Sequence, residues 1–196
     1  MMDFEEFPKM ARLSREVIVT EKIDGTNAQI FITEDGQIRA GSRTRWITPA
    51  DDNFGFAAWV EEHRDELLTL GPGRHFGEWW GRGIQRGYGI PDRRLSLFNT
   101  RRWCLFGQNP QAIQTLDPRV TRTQDVLPPC VGLVPVIGAG KFDEADFNGA
   151  LRQLAAAGSF AAPGFMDPEG IVVFHTAANV GFKKTLKRDD IPKGAR

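Results

Sequence analysis

The chain has 196 residues, with 25 Lys and Arg against 25 Asp and Glu, no formal net charge, and 41% hydrophobic and 26% charged residues. That balance fits a globular chain long enough to bury a substantial core in one domain, residues 1–196, and it removes any bulk electrostatic case for a polyanionic partner. The opening MMDFEEF is acidic rather than a basic, apolar leader, no apolar run approaches the ~20 residues of a membrane span, and Cys104 and Cys130 are too few for a disulfide framework, so a reducing cytoplasmic setting with no membrane partner is expected.

In chain order, VIVTEKI (17–23), AQIFIT (28–33) and QIRAGS (37–42) read as strands, rich in β-branched residues and bounded by turn signals. Two Asp-Gly pairs interrupt them. Asp35-Gly36 separates two strand-like runs and reads as a hairpin turn. Asp24-Gly25 differs in its neighbours: Lys22 stands two residues before the aspartate, with Glu21 ahead of it and Thr26-Asn27 after the glycine. A turn has no need of that lysine.

A helix is expected from about Asn53 to Leu70, with Phe56, Val60, His63, Leu67 and Leu70 on one face and Gly71 as its stop. RLSLF (94–98), WCLFG (103–107) and GLVPVI (132–137) read as strands. A second helix is expected from about Asp143 to Ala157, ending at Gly158, followed by strands GIVVFH (170–175) and VGFKKTL (180–186). Strands outnumber helices and do not alternate with them, which favours an α+β fold with antiparallel sheets flanked by helices. Between Arg82 and Arg102 lie six arginines (82, 86, 93, 94, 101, 102) against Asp92 alone, and the tail from Lys183 is also basic. Either patch could meet phosphates.

Several familiar chemistries fail on spacing. GAGK (138–141) has Pro135 and Phe142 where a phosphate-binding loop needs glycine and a hydroxyl residue. The glycines of GRGIQRG (81–87) miss the dinucleotide fingerprint by one residue. His63, His75 and His175 are isolated and have no metal-ligand spacing, and no GxSxG supports a serine nucleophile.

Lys22 remains. A free lysine amine titrates near ~10.4 and is protonated at neutral pH, but burial and neighbouring cations lower that value and create nucleophiles. At the end of a buried strand, such an amine could attack the α-phosphorus of a nucleoside triphosphate, forming a phosphoramidate and expelling pyrophosphate. That chemistry also needs carboxylates for a hydrated metal, a carboxylate for the ribose, an apolar floor for the base and cations on the α-phosphate. GSRTR (41–45), FGEWWG (76–81), RLSLFN (94–99), PEGIVVF (168–174) and GFKKTLK (181–187) supply such groups in order.

EKIDGTN (21–27) resembles motif I of the covalent nucleotidyltransferases, the superfamily of polynucleotide ligases and capping enzymes. FGEWWG resembles their motif III, RLSLFN motif IIIa, PEGIVVF motif IV and GFKKTLK motif V. Asn27 stands where DNA ligases and capping enzymes carry arginine, and KxxGxN is similar to ATP-dependent RNA ligases of the phage-repair and RNA-editing type. The resemblance runs from about Phe7 to Lys187. It implies a nucleotidyltransferase fold, and an RNA ligase joining 3′-OH and 5′-phosphate ends with ATP and Mg²⁺ or Mn²⁺, in duplex or nicked context. Relatives generally carry a further C-terminal OB or helical domain, and with only nine residues after Lys187 none is expected here. A partner subunit could replace the missing domain, and the setting would be a bacterial or phage-infected cell engaged in RNA repair.

The same resemblance implies roles for individual residues. Lys22 would become adenylylated, with Glu21 and Ile23 shaping the adenine pocket. Asp24 and Glu169 would orient hydrated metal, and Glu78 would bind the ribose. Val172 would pack on adenine, with Leu95 where relatives often place a stacking aromatic; Phe98, three residues on, should face the other way. Arg43 and Asn27 would serve the ribose and the polynucleotide ends. Lys183 would bind the α-phosphate and activate Lys22, with Lys184 and Lys187 as lesser candidates. Arg82, Arg86, Arg93 and Arg94 would contact the nucleic-acid backbone. A DNA ligase, a capping-type enzyme and a silent end-binding module are the alternatives.

Overall fold

The computed structural model describes residues 6–7, 9–98, 127–143, 145–187 and 189. Two sheets carry the architecture. The first has four strands in the order β10-β9-β1-β8: β1 is Glu16–Lys22, β8 Val136–Lys141, β9 Gly170–His175 and β10 Val180–Thr185. The second has six in the order β4-β3-β2-β5-β6-β7: β2 is Thr26–Ile32, β3 Ile38–Gly41, β4 Trp46–Ile47, β5 Gly73–Gly81, β6 Arg93–Leu97 and β7 Val131–Leu133. Neighbouring strands are antiparallel except β6 and β7, which run parallel. The fold is α+β, as the composition of elements predicts.

Each sheet is covered behind by helix. Helices α1 (Phe56–Glu62) and α2 (Arg64–Leu68) pack Phe56, Val60 and Leu67 onto Ile30, Trp79, Leu95 and Leu97 of the six-stranded sheet. Helix α3 (Phe147–Ala157) packs Leu151 and Leu154 onto Val17, Val19, Ile171 and Val173 of the other. Apolar burial of this kind is the main stabilising term. A third cluster, Ile23, Trp80, Tyr88, Val134 and Ala162, fills the region where the chain passes between the sheets.

Three boundaries differ from the sequence reading. The single helix expected over 53–70 is two helices broken at His63, whose φ of −102° and ψ of 20° leave the helical region. It begins only at Phe56, because Gly55 before it is left-handed. Helix α3 begins four residues later than expected, where the Asp146 carboxylate caps the Gly149 N–H at 2.7 Å; it ends at Gly158 as expected. GLVPVI is two strands in different sheets: β7 ends at Leu133 and β8 starts at Val136, with Pro135 unable to donate to either ladder. The strand expected at WCLFG lies outside the described residues, as do Arg101 and Arg102.

The two Asp-Gly pairs part company here. Asp35-Gly36 lies in the β2–β3 loop, where Gly36 takes φ 78° and donates to the Thr33 carbonyl at 3.0 Å. Asp24-Gly25 lies where β1 of one sheet gives way to β2 of the other. Among the described residues no helix is long and apolar enough to cross a membrane.

Phe56 touches Trp59 at 6.0 Å and Trp79 at 5.4 Å between ring centres, and the Trp79 indole donates to the Phe54 carbonyl at 2.9 Å. Phe56→Ala should therefore destabilise the protein by about 3–5 kcal/mol in urea unfolding, as buried Phe truncations do. A loss below about 1 kcal/mol would show that α1 is not anchored through this ring.

Candidate active site

Lys22 is the last residue of β1, and its Nζ lies 2.5 Å from Oε2 of Glu169, the residue immediately before β9. The register explains the meeting: Lys22 pairs with Gly170, the first residue of β9. Glu169 is 5% exposed and the Lys22 side chain 19%. In the same ladders Thr20 pairs with Val172 and Val172 with Lys183. Strand alternation thus puts Lys22, Val172 and Lys183 on one face of the four-stranded sheet.

Facing them is the front of the six-stranded sheet. Asn27 pairs with Glu78 across β2 and β5, and the Glu78 Oε1 accepts the Gly25 N–H at 3.1 Å. A cleft of about 700 Å³ between these surfaces is lined by Lys22, Asp24, Asn27, Arg43, Glu78 and Lys183, with Phe76 and Phe98 at one wall. The cleft is closed beneath by the passage of Gly25 over β5. A methyl group at Gly25 would collide with the Trp79 carbonyl and stand 2.7 Å from the Trp80 Cβ. Glycine is needed here for close approach, unlike Gly36, which has open space around it.

Burial dominates the electrostatics of Glu78. It pushes this carboxyl up to about 7, with the negative Glu169 and Asp24 adding to the rise and Lys22 and the Gly25 N–H opposing it. Glu21 points to the other face of the sheet. Its carboxylate is 1% exposed and accepts from Ser159 Oγ at 2.6 Å, Phe160 N–H at 2.8 Å and Ala161 N–H at 3.0 Å. Burial raises its pKa against those three hydrogen bonds. Ile23 is buried beside Trp80 and Tyr88.

Some expected site residues fall elsewhere. Leu95 is 1% exposed and faces α1 in the core, because it pairs with Trp79 on the back of the sheet. Phe98, whose N–H bonds the Phe76 carbonyl, is on the front, 37% exposed, and lines the cleft. Alternation separates Leu95 from Phe98 as the sequence predicts, but it is Phe98, not Leu95, that meets the cleft. Lys184 pairs with Ile171 on the α3 side, facing away from Lys22.

The arginine patch also reads differently. Arg86 forms ion pairs with Asp24 at 3.0 Å and Asp167 at 2.6 Å. Arg93 donates to the carbonyls of Arg82 and Phe54, and Arg94 grips Asp92 with two bonds of 3.0 and 3.1 Å. Lys187 pairs with Asp167 at 2.6 Å, which holds that carboxyl below its usual range. Arg82 is exposed. Charge density along the sequence could not reveal that these cations have partners in the chain.

The three histidines each contact a backbone carbonyl: His63 that of Trp59, His75 that of Gly71 and His175 that of Leu13. GAGK lies in β8 rather than in a loop. A larger hollow of about 820 Å³ beside β6 and β7 includes Arg93, Arg94 and Asp92, but these are engaged as just described. It gathers no amine with carboxylates.

Residues 15–188 match the RNA ligase family. The chain belongs to that family. Among solved structures it is similar to Naegleria gruberi RNA ligase in several substituted forms. One with ATP and manganese is 18% identical with a TM-score of 0.59, covering 89% of this chain and 51% of that one. Another with AMP and manganese is 20% identical with a TM-score of 0.57, covering 88% and 50%. An apo form is 21% identical with a TM-score of 0.57, again covering 88% and 50%. This RNA ligase family chain therefore spans about half the length of those ligases, and they share its fold.

Glu78 binds protons more readily in the folded chain, near pH 7, than at its ordinary value of 4.5. It favours the fold at acid pH, and that contribution fades as pH rises from about 4.5 through about 7. Glu78→Gln should flatten this part of the stability profile, measured by urea unfolding at pH 5, 6, 7 and 8. Parallel profiles for the two proteins would show that Glu78 does not titrate in this range.

Proposed function

We propose that this chain is an ATP-dependent RNA ligase domain that joins 3′-OH and 5′-phosphate ends through a lysyl-AMP intermediate on Lys22. The observation that carries this reading is the position of Lys22 Nζ, 2.5 Å from Glu169 in a cleft shared with Glu78 and Lys183. Membership of the RNA ligase family and the occurrence of ATP, AMP and manganese with its structural relatives support it.

The Nζ of Lys22 attacks the α-phosphorus of ATP, a P–N bond forms and the bond to pyrophosphate breaks. The ammonium proton must leave before attack, so the Lys22–Glu169 pair has to open or share its proton as ATP enters. Lys183, on the same sheet face, is placed to meet the α-phosphate, where a cation stabilises developing charge. Glu78 is placed for the ribose hydroxyls. Val172 and Phe98 offer apolar surface for the two faces of adenine. The AMP then passes to an RNA 5′-phosphate, and a 3′-OH displaces it to complete the phosphodiester. Arg43 and Asn27, at the cleft wall, are candidates for the reacting ends.

Asp24 and Glu169 are hard oxygen donors suited to Mg²⁺ or Mn²⁺. Among the described residues no three acidic, His or Cys side chains gather to hold a metal unaided. An ion held by Asp24 and Glu169 would neutralise the phosphates and stabilise the departing pyrophosphate. Duplex or bridged RNA ends are the proposed substrate, with the exposed Arg82 a candidate from the patch to meet a phosphate.

Incubation with α-labelled ATP and magnesium, followed by a denaturing gel, should leave label on wild type and none on Lys22→Ala. GTP should not label. Absence of label on the wild type would sink the proposal in favour of an end-binding module without turnover, and label from GTP would favour a capping-type enzyme. Sealing of nicked duplexes with RNA or DNA 3′-ends would then separate RNA from DNA ligation.

A further inference from the structure

The glycine-rich run GRGIQRGYG (81–89), which fits no nucleotide fingerprint, forms a strap from the end of β5 toward β6. Successive tight turns shape it: Ile84 N–H bonds the Gly81 carbonyl at 3.0 Å, Gly87 N–H the Ile84 carbonyl at 2.8 Å, and Arg82 N–H the Asp92 carbonyl at 2.8 Å. Gly87, Tyr88 and Gly89 all take left-handed backbone, with φ of 66°, 53° and 65°. That conformation suits glycine but is strained for a bulky aromatic, and it persists only where the surroundings over-determine it.

Tyr88 is over-determined in this sense. It is the chain's one tyrosine and is 2% exposed, with Trp80 edge-on at 5.0 Å and Phe165 at 4.7 Å. Its ring packs in the cluster that also holds Ile23. Its phenol oxygen accepts the backbone N–H of Asp24 at 2.7 Å. From the same strap, the Arg86 guanidinium meets the Asp24 carboxylate at 3.0 Å. The strap therefore grips both the backbone and the side chain of the residue two positions after Lys22.

We infer that Tyr88 is a positioning residue for the reaction of Lys22: through the Asp24 N–H it fixes the Lys22–Gly25 turn so that the amine is held in line with the α-phosphorus. The inference rests on the ligase reading and deepens it. The next N–H of the turn, that of Gly25, is held by Glu78, which faces the nucleotide itself. Removing the phenol oxygen would leave a backbone donor without its partner and allow the turn to drift, and displacements of about 1 Å near a reacting atom cost on the order of 10²-fold in rate.

Tyr88→Phe keeps the ring and removes only the oxygen. Three measurements on wild type and variant separate positioning from mere structure: the rate of labelling by α-labelled ATP, the sealing of RNA supplied with a ready-made 5′-adenylate, and hydrogen exchange at the Asp24 amide. Labelling should slow at least about tenfold, with the ATP concentration for half-saturation within about threefold. Sealing of the adenylylated RNA, which does not use Lys22 as nucleophile, should stay within about threefold, while the Asp24 amide exchanges at least about tenfold faster with the melting midpoint within a few degrees. Equal labelling rates, unchanged Asp24 exchange, or parallel losses in labelling and sealing would overturn the inference. If wild type itself takes no label, the ligase reading fails first and the inference falls with it; label on wild type with no loss in the variant removes the inference alone.

Discussion

The cleft depends on one close approach: the backbone at Gly25 lies against β5 with no room for a side chain between it and Trp79 and Trp80. The chain leaves the four-stranded sheet at Lys22 and joins the six-stranded sheet at Thr26, so three residues must span from one sheet to the other. Only a turn pressed onto β5 brings the end of β1 over Glu78. Everything that makes Lys22 chemically interesting follows from this passage, including its contact with Glu169 and its shared cavity with Lys183. A second crossing, at Val134 and Pro135, runs beside the first: the Val134 N–H bonds the Leu97 carbonyl and the Pro135 carbonyl accepts the Glu21 N–H. The two sheets are thus joined by backbone hydrogen bonds next to the site.

Glu78 and Glu169 show how the same residue type acquires different character there. Glu169 meets the Lys22 amine directly at 2.5 Å. Glu78 accepts the Gly25 backbone N–H, with Lys22 acting from a distance, so desolvation prevails and its carboxyl rises to about 7. A buried carboxylate without a direct cation tends toward its neutral form. One acid in this cleft therefore has a lysine amine at hydrogen-bond distance, and the other stands near the balance point at neutral pH.

Much of the site was legible in the sequence because strand ends and strand parity are local properties. EKIDG, PEGIVV and GFKK each announce a strand with a charged residue at a defined step, and the register then brings Lys22, Glu169 and Lys183 together. What could not be read was long-range pairing. Arg86 belongs to a stretch dense in arginine, yet its partners Asp24 and Asp167 lie 62 residues before it and 81 after it (86 − 24 and 167 − 86). Strand β5 is hard to read from the sequence because Trp79 and Trp80 are adjacent and both buried, one against the helices and the other against Tyr88, which breaks the alternation at its end. The break at His63 was hidden for a related reason: its ring stacks on Trp59 at 4.7 Å, which keeps the apolar spacing intact while the backbone leaves the helix.

The residues flanking Lys22 are tied down in opposite directions. Before it, the Glu21 carboxylate is fixed on the α3 side by Ser159 and the N–H groups of Phe160 and Ala161. Just after it, Ile23 is buried between the sheets and Asp24 is gripped by Tyr88 and Arg86. A lysine side chain carries about 2 kcal/mol of rotamer entropy, and a nucleophile on a loose backbone would add to it. Anchoring both neighbours confines the disorder to the four methylenes of Lys22 alone, and Glu169 limits even that. The arrangement also accounts for a carboxyl group being buried at Glu21, on the face turned away from the cleft. Its three hydrogen bonds fix the point at which the strand ends, and a fixed strand end is what the proposed attack by the Lys22 amine would require.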